Sequence, residues 1–447
     1  MQRLISYHLK QWQKEPNRKP ILLRGARQVG KTYAVRQLQE AFSGDYLELN
    51  LELTPRVKEI FLKDLEPARI IRELSLLTGK TITPGKTLLF LDEIQETPEA
   101  ISSLRYFYEK LPELHVIAAG SLLDFSIDSI SIPVGRISFL YMHPLSFMEF
   151  LKAIQQDLLI KEILHHSVEV AFPETVHQKL LEYLATYMAV GGMPEAVKCW
   201  VETQNLARCS TIHHELVDTY RQDFQKYSKK LQLKYVDLLF NKVPLQLGKM
   251  IKFSRFSEDY RKRELAPCLD LLAKANILYK VTQTSAHGIP LGAEAYPDKY
   301  KLIFLDVALS QAVLGANLKE WILKAQQEFI NKGALTEAMI GQELLAYSDP
   351  HKQPYLYYWQ REERASNAEV DYLVQKNEKI IPIEVKSGFG GTMKSMQLFL
   401  QSHPNSNYGI RFSMHNYSVF DKIHSYPLYA VAGVFAEDQA ALLDLTQ

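Results

Sequence analysis

Residues 24–33 read RGARQVGKTY, and no other stretch restricts the fold of this chain so strongly. Gly25 is followed by four residues and then by Gly30-Lys31-Thr32, the complete spacing of a P-loop. Glycines at those places let successive backbone N–H groups curl around a phosphate, a lysine reaches its outer oxygens, and a hydroxyl holds Mg²⁺. The flanks agree with that reading. Upstream, PILL (Pro20 to Leu23) is a short apolar run that predicts a buried strand. Downstream, TYAVRQLQEAF places Ala34, Val35, Leu38 and Phe42 on one helical face. Strand, loop and helix in that order aim a helix N-terminus at an anion. Gly25, Ala26, Arg27, Gln28, Val29, Gly30, Lys31, Thr32 and Tyr33 are therefore the candidate ATP-binding residues.

Such a loop needs an acidic partner at the tip of another parallel strand. TLLFLDEIQ supplies it, with a continuous apolar run over Thr87 to Leu91 and Asp92-Glu93 at its end. Asp92 is expected to hold Mg²⁺ together with Thr32, and Glu93 to polarise an attacking water. A further strand, LHVIAAGS, ends on Ser121, a candidate sensor of the γ-phosphate or of that water. Arg136, in VGRISFLYMHPLSFMEF, is a candidate arginine finger. Neither NKVP nor NKGA carries the aspartate of a guanine-reading element, so ATP is the expected nucleotide.

These elements together with AAGSLLDF, PLSFMEF and VGGMPEAV resemble the bacterial and archaeal AAA+-type ATPases of uncharacterised role. In those proteins a domain of unknown function follows the ATPase. The resemblance covers nearly the whole chain. It implies an α/β fold: a P-loop AAA+-like αβα domain (1–150) with a helical lid (151–208), then a winged helix (209–315) and an α/β restriction-endonuclease-like domain (316–447). No arginine near GGMPEAVKCW stands ready as a lid sensor unless Lys198 substitutes.

At 447 residues the chain has room for two or three domains. Its formal net charge of +1 means that any basic surface must be local. One such region is Lys226, Lys229, Lys230, Lys234, Lys249, Lys252, Arg255 and the run Arg261-Lys262-Arg263. There LQLKYVDLLFNKVP predicts a helix ended by Pro244, and a second helix is expected from a Ser257 cap, with Pro267 interrupting its first turn. Two strands follow, ILYKVTQ and YKLIFLD. That order resembles a winged helix, which suits DNA contact and equally a protein partner. Three cysteines without metal-ligand spacing, the lack of a long apolar N-terminal centre and the lack of a bilayer-length apolar run point to a cytoplasmic protein without a membrane partner.

Beyond Leu335, a helix carrying Glu337 precedes EVDYLVQ and KIIPIEVKSG. A two-residue turn at Asn377-Glu378 sets Lys376 opposite Lys379 and Asp371 opposite Glu384, and alternation puts Lys386 on Glu384's face. Asp371, Glu384 and Lys386, with Glu337 from the helix, resemble the endonuclease-like arrangement that gathers Mg²⁺ against a phosphodiester. The chain thus reads as an ATP-hydrolysing switch acting on or near DNA. The alternatives are an ATP-regulated signalling or scaffold protein with a protein partner, and an ATP-gated Mg²⁺-dependent DNase. Whether it works as a monomer or an oligomer is left open.

Overall fold

The computed structural model describes residues 1–121, 123, 135–227, 232–361, 368–388 and 392–446. Five strands form the first sheet: β1 (Ile21–Arg24), β2 (Asp45–Asn50), β3 (Thr87–Asp92), β4 (His115–Ala119) and β5 (Ser138–Tyr141). Their order is β2-β3-β4-β1-β5 and every pairing is parallel. Helices cover both faces of a parallel sheet, so its strands bury both sets of alternating side chains. In β3, Leu88 and Phe90 enter one apolar cluster and Leu89 and Leu91 the other, all fully buried. This explains why TLLFL is apolar without alternation. Because β1 lies between β4 and β5, the loop leaving its C-terminal end is flanked by a strand on either side.

A bundle follows. Its main members are the helices Phe147–Ala153, Glu174–Val190, Pro194–Thr203 and Leu206–Tyr227. The helix Leu233–Lys242 ends in a short 3₁₀ turn containing Pro244, as its sequence predicts. The next helix begins later than expected, at Lys262 rather than after Ser257, because Glu264 folds back to accept from the Arg261 N–H. Pro267 lies inside this helix and does not end it. Leu265, Cys268, Leu269 and Leu272 bury one face across the proline and hold the helix together.

The second sheet changes the expected domain division. It has eight strands in the order β12-β13-β11-β10-β9-β8-β6-β7. Their ranges are β6 (Leu278–Thr284), β7 (Ala295–Phe304), β8 (Leu356–Gln360), β9 (Glu369–Lys376), β10 (Lys379–Lys386), β11 (Gly409–Ser413), β12 (Ser418–Phe420) and β13 (Ile423–Pro427). The β6–β7 hairpin, assigned from sequence to a separate winged helix ending at 315, pairs through β6 with β8 in parallel. A boundary at 315/316 therefore cuts a continuous sheet. A hairpin exposes an unpaired edge, and β8 satisfies it.

The turn between β9 and β10 forms as predicted. Asn377 and Glu378 both have positive φ, 49° and 61°, as a two-residue type I′ loop requires, and Lys376 pairs with Lys379. The ladder runs to Tyr372 opposite Ile383. One step further, Asp371 Oδ2 accepts from the Val385 N–H at 2.7 Å. Ile381 and Ile383 are buried, but so is Glu384, because β10 is an inner strand rather than an edge.

Asp306 joins the bundle to the second sheet. Fully buried, it caps the helix Val307–Val313 by accepting from Ala308 N and Leu309 N, and it also accepts from Gly192 N at 2.7 Å. A Cβ on Gly191 would sit 2.4 Å from Asp306 Oδ1, and one on Gly192 would sit 2.2 Å from the Leu145 carbonyl oxygen, so this contact requires the first glycine of VGGMPEAV and the approach to Leu145 requires the second. No helix among the described residues is long and apolar enough to cross a membrane. Replacing Asp306 by alanine strands three N–H donors, two of them at a helix N-terminus. Asp306→Ala is expected to lower unfolding free energy by about 2 kcal/mol or more in denaturant titration.

Candidate functional site

The loop from Gly25 to Thr32 has the conformation its sequence implies. Gly25 (φ 137°) and Gly30 (φ 96°) occupy backbone regions closed to most side chains, and a Cβ on Gly25 would meet the Met142 carbonyl oxygen at 2.1 Å. The helix Lys31–Ala41 begins on Lys31. Its ammonium lies inside the loop, donating to the carbonyl oxygens of Gly25 at 2.9 Å and Ala26 at 2.7 Å. Tyr33, one residue beyond the motif, is about half exposed.

Across the loop stands the end of β3. Thr32 Oγ1 donates to Asp92 Oδ2 at 3.0 Å, so two hard oxygen donors meet beside the lysine. Burial raises the Asp92 pKa, an effect that the Thr32 hydroxyl opposes. Glu93 takes a left-handed backbone conformation (φ 49°), which turns it out of the strand. Its carboxylate accepts from Gln95 Nε2 at 2.6 Å and from Ser121 Oγ at 3.3 Å. Ser121, at the end of β4, therefore faces Glu93. Gln95 escaped the sequence reading, although DEIQ places it two residues past the glutamate, where one 3₁₀ turn returns it to that carboxylate. Gly120 packs against this amide, since a Cβ there would sit 2.1 Å from Gln95 Oε1 and displace it.

Three long-range contacts hold the loop, and none was legible in the sequence. Arg3, buried, donates to Val29 O and His143 O, each at 2.7 Å, and pairs with Glu149 at 2.8 Å. Arg27 pairs with Asp223 on the helix Leu206–Tyr227 at 2.6 Å. Tyr220, one turn earlier, donates to Arg27 O at 2.6 Å. The bundle thus meets the loop through an acid and a tyrosine, while Lys198, considered as a lid cation, is exposed and within 3.8 Å of Glu202.

Arg136 requires a correction. It precedes β5, at the N-terminal ends of the parallel strands, with Ser138 N donating to Pro20 O. It pairs with Glu109 at 2.9 Å. The P-loop lies at the opposite ends of the same strands, so Arg136 cannot act on the phosphates of its own chain.

In the second sheet the expected C-terminal residues converge, around a residue that was not expected. Lys301 on β7, almost fully buried, bonds Glu337 at 2.9 Å, lies 3.8 Å from Asp371, and makes a short ion pair with Glu369. Lys386 makes a similarly short pair with Glu384. Burial raises the carboxyl pKa values of Glu337 and Glu384, while the surrounding carboxylates hold Lys301 charged despite its burial. The expectation that these acids gather a divalent ion is not met. Among the described residues no group of three or more His, Cys, Asp or Glu is arranged to hold a metal, because an ammonium stands among the carboxylates. Lys301 is a single charge in the apolar alternation of YKLIF, and nothing local marks it.

The parallel sheet and the loop geometry define a P-loop domain of the AAA type at the head of the chain. Residues 17–151 match the family described as AAA domain, and the chain carries this domain followed by two domains of unknown function, DUF8612 over 181–320 and DUF4143 over 332–431. No curated protein matches the sequence. Among solved structures, the Walker-type ATPase PABY2304 of Pyrococcus abyssi is 16% identical with a TM-score of 0.43, covering 69% of this chain and 94% of that one. PCH-2 of C. elegans is 12% identical with a TM-score of 0.25 over 46% and 63% of the two chains. AMPPCP-bound DnaA from Aquifex aeolicus is 14% identical with a TM-score of 0.25 over 60% and 85%. Scores this low carry no argument about function.

Burial lowers the Lys31 pKa to about 8. The protonated amine is the form that attracts phosphate, so nucleotide affinity is expected to be level below about pH 8. Above it, affinity should fall by up to about tenfold per pH unit as the charge is lost. Fluorescent-nucleotide titration across pH measures this, and a profile that stays flat well above pH 8 contradicts it.

Proposed function

We propose that this protein is an ATP-hydrolysing switch that acts on or near DNA. The observation that carries the hydrolytic part is the Thr32–Asp92–Glu93 edge, where a hydroxyl and a carboxylate meet 3.0 Å apart and a second carboxylate is held beside them by Gln95 and Ser121. The Lys31 ammonium, now on loop carbonyls, exchanges them for the β/γ oxygens of ATP. Thr32 and Asp92 are the residues that suit Mg²⁺, which when bound screens the phosphate charge. Glu93 accepts the proton of the attacking water, and Ser121 and Gln95 fix the orientation of its carboxylate. The Arg27–Asp223 pair and Tyr220 connect the loop to the long bundle helix, a route from nucleotide state to the downstream domains.

Support for DNA as the downstream partner comes from the helix Lys262–Lys274. Arg261, Lys262 and Arg263 are exposed at its start, and Lys262 pairs with an exposed aspartate, Asp298, an interaction readily exchanged for phosphate. Lys229 and Lys230, counted with this basic region, lie outside the described residues, as does the side chain of Lys226. The ammonium that stands among the carboxylates of the second sheet favours binding over cleavage. A protein partner for the same surface is the second reading, and salt dependence separates the two.

Lys31→Ala is expected to abolish ATP binding. Glu93→Gln should keep binding and lower kcat by about 10²-fold or more, measured as phosphate release. Normal turnover by Glu93→Gln removes that residue as base. Converting Arg261, Lys262 and Arg263 to alanine should weaken DNA retention whatever the DNA sequence. It should also reduce the slope of log affinity against log salt by about one for each phosphate that the variant no longer neutralises. Salt-insensitive or absent retention by the unaltered protein supports the protein-partner reading.

A further inference from the structure

Two arginines hold the nucleotide loop, and their ion pairs differ in kind. Arg3 and Glu149 are both buried, so that pair is fixed. Arg27 keeps 29% of its side-chain surface open to solvent, while its partner Asp223 keeps 7%. A guanidinium within reach of solvent can trade one anion for another without crossing the protein interior. Arg27 is the second residue after Gly25, inside the span that curls around phosphate. The Glu93 carboxylate acts electrostatically on Arg27, and Arg27 acts on the Lys31 ammonium, so the three groups border one space. Lys31 serves the β/γ oxygens and Glu93 the water that attacks the γ-phosphate. The γ-phosphate is therefore the anion that enters this space.

We propose that Arg27 is a γ-phosphate switch: when ATP enters, its guanidinium leaves Asp223 for the γ-phosphate, and the end of the helix Leu206–Tyr227 is released from the loop. This rests on the reading that the loop binds ATP. A terminal phosphate offers about two negative charges and three oxygens to the fork of a guanidinium, against the single charge of a carboxylate. ADP lacks that group, so with ADP the Arg27–Asp223 pair persists and the helix stays docked. A carboxylate buried as deeply as Asp223 that loses its cation favours a shift that admits water. Tyr220 holds the Arg27 carbonyl rather than its side chain, so the helix pivots on that bond. Phe224, next to Asp223, meets Phe240 of the helix Leu233–Lys242 at 5.1 Å between ring centroids. From the same helix Tyr235 donates to Glu264 at 3.2 Å, in the first turn of the helix that carries Arg263. A pivot at Asp223 thus reaches the basic run through two contacts.

The test measures binding of ADP and of the non-hydrolysable analogue AMPPNP to the full chain with Mg²⁺ present. Asp223→Asn, which keeps shape and removes charge, should tighten AMPPNP about fivefold or more and leave ADP within about twofold. Arg27→Gln should weaken AMPPNP by more than it weakens ADP, and adding Asp223→Asn to it should bring no gain. Asp223→Asn without gain for AMPPNP, or with an equal gain for both nucleotides, would overturn the proposal. So would the same gain in the Arg27→Gln background, which would be a general field effect of the lost charge. Hydrogen exchange of the unaltered protein gives a readout that needs no variant to fold. Amides of residues 216–225 should exchange faster with AMPPNP than with ADP. Equal protection with the two nucleotides would overturn the switch while leaving ATP binding intact. Protein that binds neither nucleotide would instead remove the ATP reading itself, and the switch with it.

Discussion

One guanidinium organises the nucleotide end of this molecule. Arg3 donates to a P-loop carbonyl at Val29 and to the His143 carbonyl after β5, and pairs with Glu149. Glu149 in turn accepts from Leu4 N and from Ser146 N, closing the capping box of the helix Phe147–Ala153. The first helix, the loop, the last strand of the sheet and the first helix beyond it therefore meet on a single buried ion pair. A pair of this kind adds little or no stability over a well-packed apolar replacement, but removing one partner leaves a buried charge unmatched at about 3–5 kcal/mol. Its value here is positional, since it holds the backbone of the loop in place.

The same logic recurs along the chain. Glu343, fully surrounded, accepts from Phe147 N at 3.0 Å and from the Tyr187 hydroxyl at 3.2 Å, and burial pushes its pKa up to about 7. It lies six residues after Glu337 on the helix Gly333–Ala346, a rise of about 9 Å. One helix thus touches the element after the ATPase sheet at one end and the Lys301 cluster at the other. Asp306 connects the glycine turn of the bundle to the second sheet, and Asp223 connects the long bundle helix to Arg27. Each junction consists of a buried carboxylate bonded to backbone N–H groups or to a cation from a distant element. Such joints are directional, and they fix orientation where apolar packing alone would tolerate sliding.

Where sequence and structure agree, the reason is local. The P-loop is eight consecutive residues whose conformation follows from two glycines and the helix behind them. The β9–β10 register follows from two residues of positive φ at Asn377 and Glu378, and it carries Asp371 and Glu384 to neighbouring positions without reference to the rest of the chain. Where they differ, sheet topology intervened. The β6–β7 hairpin reads as self-contained because hairpin signals are local, whereas its pairing with β8 joins strands separated by more than seventy residues. Arg136 reads as a finger because of its place after β4, but the parallel direction of β5 sets it at the far end of the strands.

The sequence alone determined the nucleotide loop, its acidic partner at the end of β3, and the hairpin that presents Asp371 and Glu384. Each is a short-range pattern in which backbone freedom or period-two alternation dictates geometry. Only the tertiary structure decided what surrounds them. Arg3 is 146 residues from Glu149, Arg27 is 196 from Asp223, and Lys301 reaches Glu337 from a different element. A lone charged residue in an amphipathic helix or an apolar strand carries no mark of its partner. It is paired because burial makes an unmatched charge too costly to leave, and which partner it finds depends on how the sheets and helices pack.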